Sequence, residues 1–335
     1  MTRVAVDALG GDNAPGEVIL GALEAAADGI DVTLYGPRWL DTQGLPLVET
    51  TEVIEMAEKP AEAVRAKPDS SLVACVRAVA DGNADAAISA GNTGAMLAAG
   101  LLHLRRLPGV MRPAIAVPIP ARQGPSVLLD AGANADARPE HLVQFAHMGS
   151  VFSEQLLDVR EPQVRLLSIG EEDEKGNQLT IEAHRLLRED DRLNFAGNAE
   201  SRDLLRGIAD VVVTDGFTGN VMLKLLEGTI GELLGELRDE IGATPTGKLG
   251  GLLIRPAARR LRKRLDPDTY GGAYLLGLRG LAVIAHGNSS RAAIANAIRL
   301  AARGVEHSVV EHLSQRLPER VVASARSQDN QPQMR

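Results

Sequence analysis

Short apolar runs alternate along this chain with longer segments in which apolar residues recur at helical spacing. The short runs predict strands, one within RVAVD at the start of the chain and the others at 31–36, 85–89, 114–118, 126–130, 163–169, 191–195, 211–213 and 281–285. The longer segments predict helices, one after the first strand and others at 70–81, 93–105, 139–158, 201–206, 217–240 and 289–315. This alternation predicts an α/β fold with a doubly wound, mostly parallel sheet, whose ligand lies beyond the carboxyl ends of the strands.

The stretch VVVTDGFTGNVMLK, residues 211–224, joins a strand to a helix through a polar turn. Val211–Val213 form a β-branched run without polar alternation, which predicts a central parallel strand covered on both faces. We expect Gly216 and Gly219 to let backbone N–H groups approach an anion at the start of the helix, with Lys224 one turn further within reach of it. The turn therefore predicts an anion site.

The same turn also has a simpler interpretation, because polar residues cap helices. Thr218 or Asn220 could cap the helix, and Asp215 and Asn220 could do no more than satisfy backbone groups. The number of polar groups that converge here favours the anion site.

Four other predicted strands also end in polar, glycine-bearing turns. Their candidate residues are Asp7, Gly10, Gly11, Asp12 and Asn13, then Ser89, Gly91, Asn92, Thr93 and Gly94, then Asp130 and Asn134, and finally His286, Asn288 and Ser289. Hydroxyl and amide donors beside glycines suit phosphate or carbonyl oxygens. We expect these turns to leave the same end of the sheet and to face one cleft. Helix capping, by Asp12 or Asn13 and by Asn92 or Thr93, is the alternative for the first two turns.

Two segments are strongly charged. The exit of the strand at 163–169 carries Glu171, Glu172 and Lys175, which is typical of a charged hairpin tip. Residues 248–264 hold seven basic residues and no acidic one, with an apolar tip at 252–254. This pattern predicts a basic amphipathic helix. In a chain of net charge -8 it indicates an anionic partner, either lipid headgroups or an acidic carrier protein, although a solvated charged helix is the ordinary alternative.

Composition excludes several classes of function. A net charge of -8 and only 2% aromatic residues argue against a nucleic-acid partner. The one cysteine, Cys75, cannot form an internal disulfide, no secretory leader pattern opens the chain, and no apolar run reaches the roughly 18 residues of a membrane span. We therefore expect a cytoplasmic location. The seven histidines show no paired ligand spacing, so we expect no metal site.

Six motifs together resemble the bacterial phosphate acyltransferase family of phospholipid synthesis, the PlsX family. They are VAVDALGGDNAPGE, ISAGNTGA, LLDAGAN, SIGEEDEKG, TDGFTGNVMLK and GGAYLLGLRGLAVIAHGNS. The resemblance covers about residues 1–315, and its departures are small, with Leu9 where Met is common and Ser201 where Gly is common.

The resemblance implies the fold, the activity and the partners. The fold would have the three-layer architecture of isocitrate and isopropylmalate dehydrogenases, with one catalytic domain at 1–324 and a protruding helical hairpin that includes the basic segment at about 241–270. Independently of the resemblance, the polar composition at 325–335 predicts a disordered tail. The enzyme would transfer a long-chain fatty acyl group from acyl carrier protein to inorganic phosphate, giving acyl phosphate for a membrane glycerol-3-phosphate acyltransferase. It would need no cofactor and would act as a homodimer bound peripherally at the inner face of the cell membrane.

On this resemblance we assign provisional roles to the polar residues. The catalytic candidates are Lys224, Asp215, Asn220 and Asn92. The candidates for binding phosphate or substrate are Gly216, Thr218, Gly219, Ser89, Gly91, Thr93, Asp7, Gly10, Asp12, Asp130, Asn134, Lys175, His286 and Asn288. The candidates for membrane or carrier contact are Leu252, Leu253, Ile254, Arg255, Arg259, Arg260 and Lys263.

Two other functions stay open. A decarboxylating hydroxyacid dehydrogenase on the same architecture would need paired aspartates for a divalent metal and a nicotinamide site. A scaffold that only binds lipid or a carrier protein would need no catalytic residues. Release of thiol from acyl carrier protein that depends on phosphate, without NAD or metal, separates all three.

Overall fold

The computed structural model describes residues 1–122, 124–266, 269 and 271–317. The strands in these residues are β1 (Arg3–Asp7), β2 (Asp31–Gly36), β3 (Leu47–Glu49), β4 (Ala86–Ser89), β5 (Ala114–Ile119), β6 (Ser126–Leu129), β7 (Gln163–Ser168), β8 (Asn194–Glu200), β9 (Val211–Val213), β10 (Ala273–Leu276) and β11 (Leu281–Ile284). The α-helices are α1 (Gly16–Ala27), α2 (Pro60–Ala66), α3 (Ser71–Ala80), α4 (Thr93–Ala99), α5 (Pro139–Leu157), α6 (Gln178–Arg188), α7 (Gly216–Gly242), α8 (Pro245–Leu265), α9 (Arg291–Glu306) and α10 (Val309–Arg316). The predicted tail at 325–335 lies outside the described residues, and the domain boundary at 324 stays a prediction.

The described strands form one sheet in the order β3-β2-β1-β4-β11-β10-β5-β6-β9-β7-β8. Neighbours are parallel except that β10 is antiparallel to β11 and β5, and β5 is antiparallel to β6. The mostly parallel sheet is therefore confirmed. The three reversals make β6, β9, β7 and β8 run opposite to β1, β4 and β11. The prediction that all polar turns leave one end of the sheet is wrong for this reason.

Each face of the sheet is covered by helices, so the three-layer, doubly wound architecture is also confirmed. Val4 and Val6 of β1 pack in one core with α1, α5 and α9, while Ala5 points into the other core with α3 and α4. The strand predicted to be central, Val211–Val213, pairs in parallel with β6 and β7 and is fully buried.

Several predicted boundaries need correction. The segment after β7 leads into α6 and is not a hairpin tip. The strand expected at 191–195 begins at Asn194 and runs to Glu200. The helix expected at 93–105 changes to a π-helical turn at Gly100–Leu104. The helix expected at 289–315 is divided into α9 and α10 at Ser308, whose φ of 48° is left-handed.

The predicted caps of α1 are wrong as well. Pro15 occupies the N-cap position, and no side chain caps this helix. Asn13 instead donates its amide to the carbonyl oxygens of Asn288 and Ser289, so it joins the turn after β1 to the turn after β11.

Helices α7 and α8 form a hairpin that leaves the body of the protein. The buried residues of α7 are Gly216, Gly219 and Leu223, all in its first two and a half turns, and α8 has no buried residue. The two helices are joined at Ala243 and Thr244, where the Thr244 hydroxyl caps α8. Leu252–Ile254 therefore lie about 12 Å along α8 from the turn, so they are not at its tip as the sequence suggested. Of the helices that the structure describes, none has the length and apolar character to cross a membrane.

Candidate active site

A cavity of about 370 Å³ lies over the central strands, between α7 and the turns that follow β4 and β11. Its size is at the lower end of ordinary ligand pockets. One wall is a single face of α7, because Asn220, Lys224 and Glu227 follow one another at intervals of four and three residues. The cavity therefore receives polar groups from parts of the chain that lie far apart in the sequence.

The opposite wall comes from two strand exits. Gly91 and Thr93 belong to the turn into α4, and His286 follows β11 directly. Gly132 from the turn after β6 completes this polar side. Six of the predicted candidate residues thus line one cavity: Gly91, Thr93, Gly94, Asn220, Lys224 and His286.

The floor of the cavity is apolar. Its residues include Leu97, Ile115, Val117, Ile119, Leu223, Leu226, Ile230 and Ile284. The cavity thus combines a polar rim, which contains one exposed ammonium group, with an aliphatic interior. Such a site suits an amphiphilic substrate whose reacting group is polar and whose remainder is hydrocarbon.

Lys224 is the cation of this rim. Its side chain is exposed on the cavity face of α7. In the part of the chain that the structure describes, the ammonium group makes no hydrogen bond or ion pair. It is therefore available to an anionic ligand.

The start of α7 does not supply the anion site that its glycines predict. Asp215 is the N-cap, and it accepts hydrogen bonds from the N–H and the hydroxyl of Thr218 at 2.9 and 2.7 Å. The N–H of Gly216 donates to the carbonyl of Asn134, and that of Gly219 donates to the carbonyl of Asp215. Since these amides already have partners, the prediction that they face an anion is wrong. The capping interpretation holds for Asp215, while Thr218 and Asn220 are not the cap.

Asp130 holds the neighbouring turn together and does not line the cavity. Its carboxylate accepts five hydrogen bonds of 2.7–3.1 Å, from the N–H groups of Ile115, Gly132, Ala133 and Asn134 and from the Asn134 side chain. Burial raises the pKa of Asp130, and these donors oppose that shift. The residue fixes Gly132, which does line the cavity, so its effect on the site is indirect.

Asn92 is also a structural residue in this geometry. Its side-chain oxygen caps α4 by accepting from the Ala95 N–H at 3.0 Å. Its amide donates to the carbonyls of Met56 and Glu58, each at 3.1 Å. Because both polar atoms are occupied and the side chain is 7% exposed, Asn92 positions the turn that carries Thr93, and its predicted catalytic role has no contact here to support it.

The polar residues after β1 form a buried junction behind the cavity. The Ser89 hydroxyl donates to Asp7 at 2.6 Å and accepts from the N–H of Gly91 at 3.0 Å. Burial raises the pKa of Asp7. Gly10 fits here because a Cβ would lie 2.5 Å from the Asp7 carboxylate. Asp7, Gly10 and Ser89 therefore support Gly91 but do not line the cavity.

The remaining candidates lie outside the cavity. The Asp12 N–H donates to the carbonyl of Gly287, which places Asp12 beside a lining residue. The carbonyl of Asn288 is the acceptor for Asn13. Lys175 lies in the turn between β7 and α6, where its carbonyl accepts from the Ser168 hydroxyl. Lys175 is not among the residues that line the cavity, so its predicted contact with substrate is not supported by the geometry.

Sequence reasoning missed Glu227. The Oε1 atom of Glu227 is shielded from solvent, and Nε2 of His286 lies 3.3 Å from it. The only sequence signal was the position of Glu227 three residues after Lys224, which places both on one helix face. Among the described residues, no cluster of three or more His, Cys, Asp or Glu could hold a metal ion.

Comparison with known proteins identifies close sequence relatives. Residues 2–312 match the protein family described as "Fatty acid synthesis protein". A phosphate acyltransferase from Desulfitobacterium hafniense (strain Y51) is 48% identical over 329 residues, which cover 95% of this chain and 98% of that protein. A phosphate acyltransferase from Thermosynechococcus vestitus is 47% identical over 323 residues, which cover 93% and 94% of the two chains.

Solved structures with the same fold are more distant in sequence. A phosphotransacetylase from Staphylococcus aureus superposes with a TM-score of 0.59 at 17% identity and covers 91% of this chain and 94% of its own. A branched-chain phosphotransacylase from Enterococcus faecalis gives 0.59 at 16% identity, with 92% and 100% coverage. A 4-hydroxythreonine-4-phosphate dehydrogenase from Klebsiella pneumoniae gives 0.51 at 12% identity, with 94% and 98% coverage. At these identities the likeness is one of fold.

Proposed function

Because the chain belongs to the fatty acid synthesis protein family, among the phosphate acyltransferase enzymes, we propose that it transfers a long-chain fatty acyl group from the thioester of acyl carrier protein to inorganic phosphate. The product is acyl phosphate. The observation that carries this proposal is the cavity itself, in which the ammonium group of Lys224 lies above an aliphatic floor. The ammonium group suits phosphate, and the floor suits the first part of a fatty acyl chain.

The reaction needs positioning and charge stabilisation more than a protein nucleophile. Phosphate is itself an anionic nucleophile, and the thiolate that leaves has a conjugate thiol pKa of roughly 8.5, so no covalent acyl-enzyme is required. Lys224 would hold phosphate beside the thioester carbon, and the hydroxyl of Thr93 and the amide of Asn220 would donate to the developing oxyanion. All three residues line the cavity.

The experiment that tests this proposal uses acyl carrier protein that carries a long-chain fatty acyl thioester. It measures the free thiol that forms when the acyl group is transferred. We expect release that depends on inorganic phosphate and that proceeds without NAD and without added metal. Oxidation of a hydroxyacid that requires NAD and metal would support a dehydrogenase instead. Binding of the carrier without any thiol release would leave a scaffold.

The proposed product supports a location at a membrane. Acyl phosphate with a long chain is suited to a membrane glycerol-3-phosphate acyltransferase, which would make the precursor of phosphatidic acid. We propose that the protein is cytoplasmic and binds peripherally to the anionic inner face of the membrane through α8. In support, Leu252, Leu253 and Ile254 are 64%, 77% and 48% exposed on a helix with seven basic residues.

A homodimer is part of the same proposal. Phe217, Val221 and Leu225 recur every four residues along α7 and are all more than half exposed. An apolar stripe of this kind is typical of a helix that packs against a partner. Sedimentation velocity should give twice the mass of one chain, 35.5 kDa, and a monomer at micromolar concentration would contradict this part of the proposal.

A further inference from the structure

A groove beside the catalytic cavity has no part in the mechanism above. Leu97 of α4 lines both the catalytic cavity and an adjoining hollow of about 480 Å³. A second hollow, of about 520 Å³, continues from the first, and Leu101 and Arg106 line both hollows. Thr93, Leu97 and Leu101 recur every four residues along α4 and into the π-helical turn, so Leu101 lies about 12 Å along one helix face from Thr93. The groove therefore runs from the protein surface to the rim of the catalytic cavity.

The lining of this groove combines cations with apolar side chains. We call it the arginine groove and define it by six residues, which are Leu101, Leu102, Arg105, Arg106, Met111 and Arg112. Leu101 and Leu102 are 39% and 52% exposed. Arginine and methionine are enriched in the contact surfaces of protein complexes. The composition of the groove is thus typical of a surface that binds another protein.

The positive charge of the arginine groove is not neutralised within the described part of the chain. The guanidinium groups of Arg105 and Arg112 are exposed and make no hydrogen bond or ion pair with any described residue. Arg106 donates to the carbonyl oxygen of Met111, which leaves its charge intact. Residues 86–129 contain four arginines and no acidic residue, in a chain of net charge -8. A local basic surface on an acidic protein attracts an acidic partner and steers its approach.

The main chain beneath the groove is held against the turn between β10 and β11. The N–H of Leu107 donates to the carbonyl of Gly277 at 2.9 Å, and the N–H of Arg279 donates to the carbonyl of Arg105 at 3.0 Å. The Nε atom of Arg279 also donates to the carbonyl of Arg106 at 3.1 Å. A surface whose backbone is already ordered loses less conformational entropy when a partner binds. The groove is therefore prepared for docking.

We propose that the arginine groove is the docking surface for acyl carrier protein, which contacts it through an acidic face. This inference rests on the proposed acyl transfer to phosphate. The acyl donor of that reaction is a protein, so its surface must touch the enzyme within reach of the cavity. A carrier on the groove extends its flexible thioester-bearing arm along the helix face that Thr93, Leu97 and Leu101 share. The acyl chain then enters the aliphatic floor of the cavity.

Other anionic partners fit the arginine groove less well. Nucleic acid is bound through aromatic side chains on which bases stack, and none of the residues that line the two hollows is aromatic. A bilayer is a flat surface that α8 can reach because it projects from the body, whereas the groove is a concave part of the body itself. An acidic protein that must deliver a group to the neighbouring cavity satisfies both the charge and the position of the groove.

The test uses the full-length protein with acyl carrier protein thioester and phosphate. We expect the double variant Arg105→Glu/Arg112→Glu to raise KM for acyl carrier protein about 10-fold or more, with kcat and KM for phosphate unchanged. The matched control is Arg38→Glu/Arg160→Glu, which changes two exposed arginines that line neither the groove nor the cavity. Each replacement adds two negative charges, so both double variants change the formal net charge from -8 to -12. The control should keep the wild-type KM.

A second readout does not depend on turnover. Fluorescence anisotropy of labelled acyl carrier protein should give a Kd that rises about 10-fold in the groove variant and stays unchanged in the control. Added salt should weaken binding to the wild type more than binding to the groove variant, because it screens the charges that the variant has lost.

Three results would overturn the inference while leaving acyl transfer intact. They are a wild-type KM and Kd in the groove variant, equal losses of affinity in the groove variant and the control, and a loss of binding to anionic vesicles with unchanged affinity for the carrier. The last would make the groove a lipid contact. If the wild type releases no thiol with phosphate, it is the proposed function that fails. Thermal unfolding shows whether each variant folds, and if the double variant does not, the single variants Arg105→Glu and Arg112→Glu decide.

Discussion

Lys224 is the cation of the cavity rim, and the proposed binding of phosphate depends on it. Removal of the ammonium group leaves the rim without its cation, whereas the aliphatic part of the side chain contributes little to an exposed helix face. We expect Lys224→Ala to lower kcat/KM for phosphate about 100-fold or more and to leave the melting temperature unchanged. Acyl-phosphate formation from acyl carrier protein is the measurement.

Lys175→Ala is the matched control for this variant. Both changes remove one lysine cation, but Lys175 lies in the turn between β7 and α6 and does not line the cavity. Wild-type turnover in a folded Lys224→Ala variant would contradict the role of Lys224. A loss in Lys175→Ala equal to that in Lys224→Ala would point to long-range electrostatics and not to a contact.

Asp190 makes the stability of the fold depend on pH in the acidic range. It accepts two hydrogen bonds of 2.7 Å from Arg192 and lies 2.7 Å from Nε2 of His147. Burial alone would raise the pKa of Asp190, but the hydrogen bonds from Arg192 and His147 outweigh it and lower the pKa to about 2. A folded-state pKa below the unfolded value of roughly 3.9 stabilises the protein above about pH 4. That contribution is lost as the pH falls toward about 2.

The corresponding variant is Arg192→Ala. Because Arg192 is about half exposed, solvent screening reduces the effect, and we expect the free energy of unfolding to fall by about 1 kcal/mol at pH 7. The difference from wild type should shrink as the pH falls from about 4 toward about 2, the range in which the contribution of ionised Asp190 to stability is lost. Urea unfolding at pH 7, 4 and 3 measures this, with Arg188→Ala in the more exposed pair with Asp173 as the control. A difference that grows with acid would contradict the assignment.

Single residues also mark the limit of what the sequence can predict about the site. A cluster of small polar residues and glycines directly after a strand is a local sequence signal of a polar turn. That signal led to four of the lining residues, which lie in or just after such turns: Thr93, Asn220, Lys224 and His286. Glu227 carries no such signal, since a glutamate inside a long helix is most often solvated. Only the position of α7 against β11 gives it a partner.

Among the helices, α7 depends on a close approach at its first turn. A Cβ at Gly219 would lie 2.0 Å from the carbonyl oxygen of Asp130, an atom of the main chain that cannot move aside easily. We expect Gly219→Ala to destabilise the protein by about 3 kcal/mol or more, because the added methyl group must displace α7 from β6. Loss of activity should accompany the loss of stability, since α7 carries Asn220 and Lys224.

Gly228 provides the control on the same helix. A Cβ there meets nothing within 4 Å, so Gly228→Ala should stabilise α7 by up to about 1 kcal/mol through helix propensity. Thermal unfolding of both variants is the measurement. Equal effects would show that the contact with Asp130 yields readily and that α7 can shift.

Elements that the sequence pattern missed or placed at shifted bounds have polar residues on their buried side, lie at an edge of the sheet or are very short. In α6 the buried face includes His184, which hydrogen-bonds Asn198, so its apolar period is interrupted. β8 is the last strand of the sheet, and NFAGNAE has the mixed polarity that a strand with one neighbour tolerates. β10 is a run of four residues between glycines, too short for any period to appear.

The direction of the strands is a property of the whole molecule that no local pattern contains. β6 and β9 look like any buried parallel strands, and they are parallel to one another. Their reversal relative to β4 follows from three successive antiparallel pairs, β11–β10, β10–β5 and β5–β6, and β10 and β11 come from a part of the chain that is distant from β5 and β6. The polar turns could therefore be found from sequence, but which of them meet in one cavity could not.

The proposed membrane location depends on the arrangement of the whole molecule, because α8 projects from the body and exposes both apolar and basic residues. Each basic residue near an anionic surface contributes on the order of 1 kcal/mol, and each buried aliphatic side chain roughly 1.5–3 kcal/mol. The two contributions are comparable, so we expect binding to anionic vesicles that weakens with salt and that Leu253→Glu abolishes. Leu253 is 77% exposed, so Leu253→Glu should leave the fold unchanged, and release would report the loss of membrane contact.

The measurement is co-sedimentation with anionic vesicles beside turnover with soluble acyl carrier protein. Ile169→Glu is the matched control, since Ile169 is 80% exposed but lies in the turn after β7, away from α8. If α8 binds lipid, Leu253→Glu should stay in the supernatant and keep wild-type turnover, while Ile169→Glu sediments normally. Unchanged sedimentation of Leu253→Glu would remove α8 from the membrane contact. Lost turnover with retained sedimentation would make α8 the docking site for the carrier protein, because an acidic carrier uses the same cations as a lipid surface but is needed for the reaction itself.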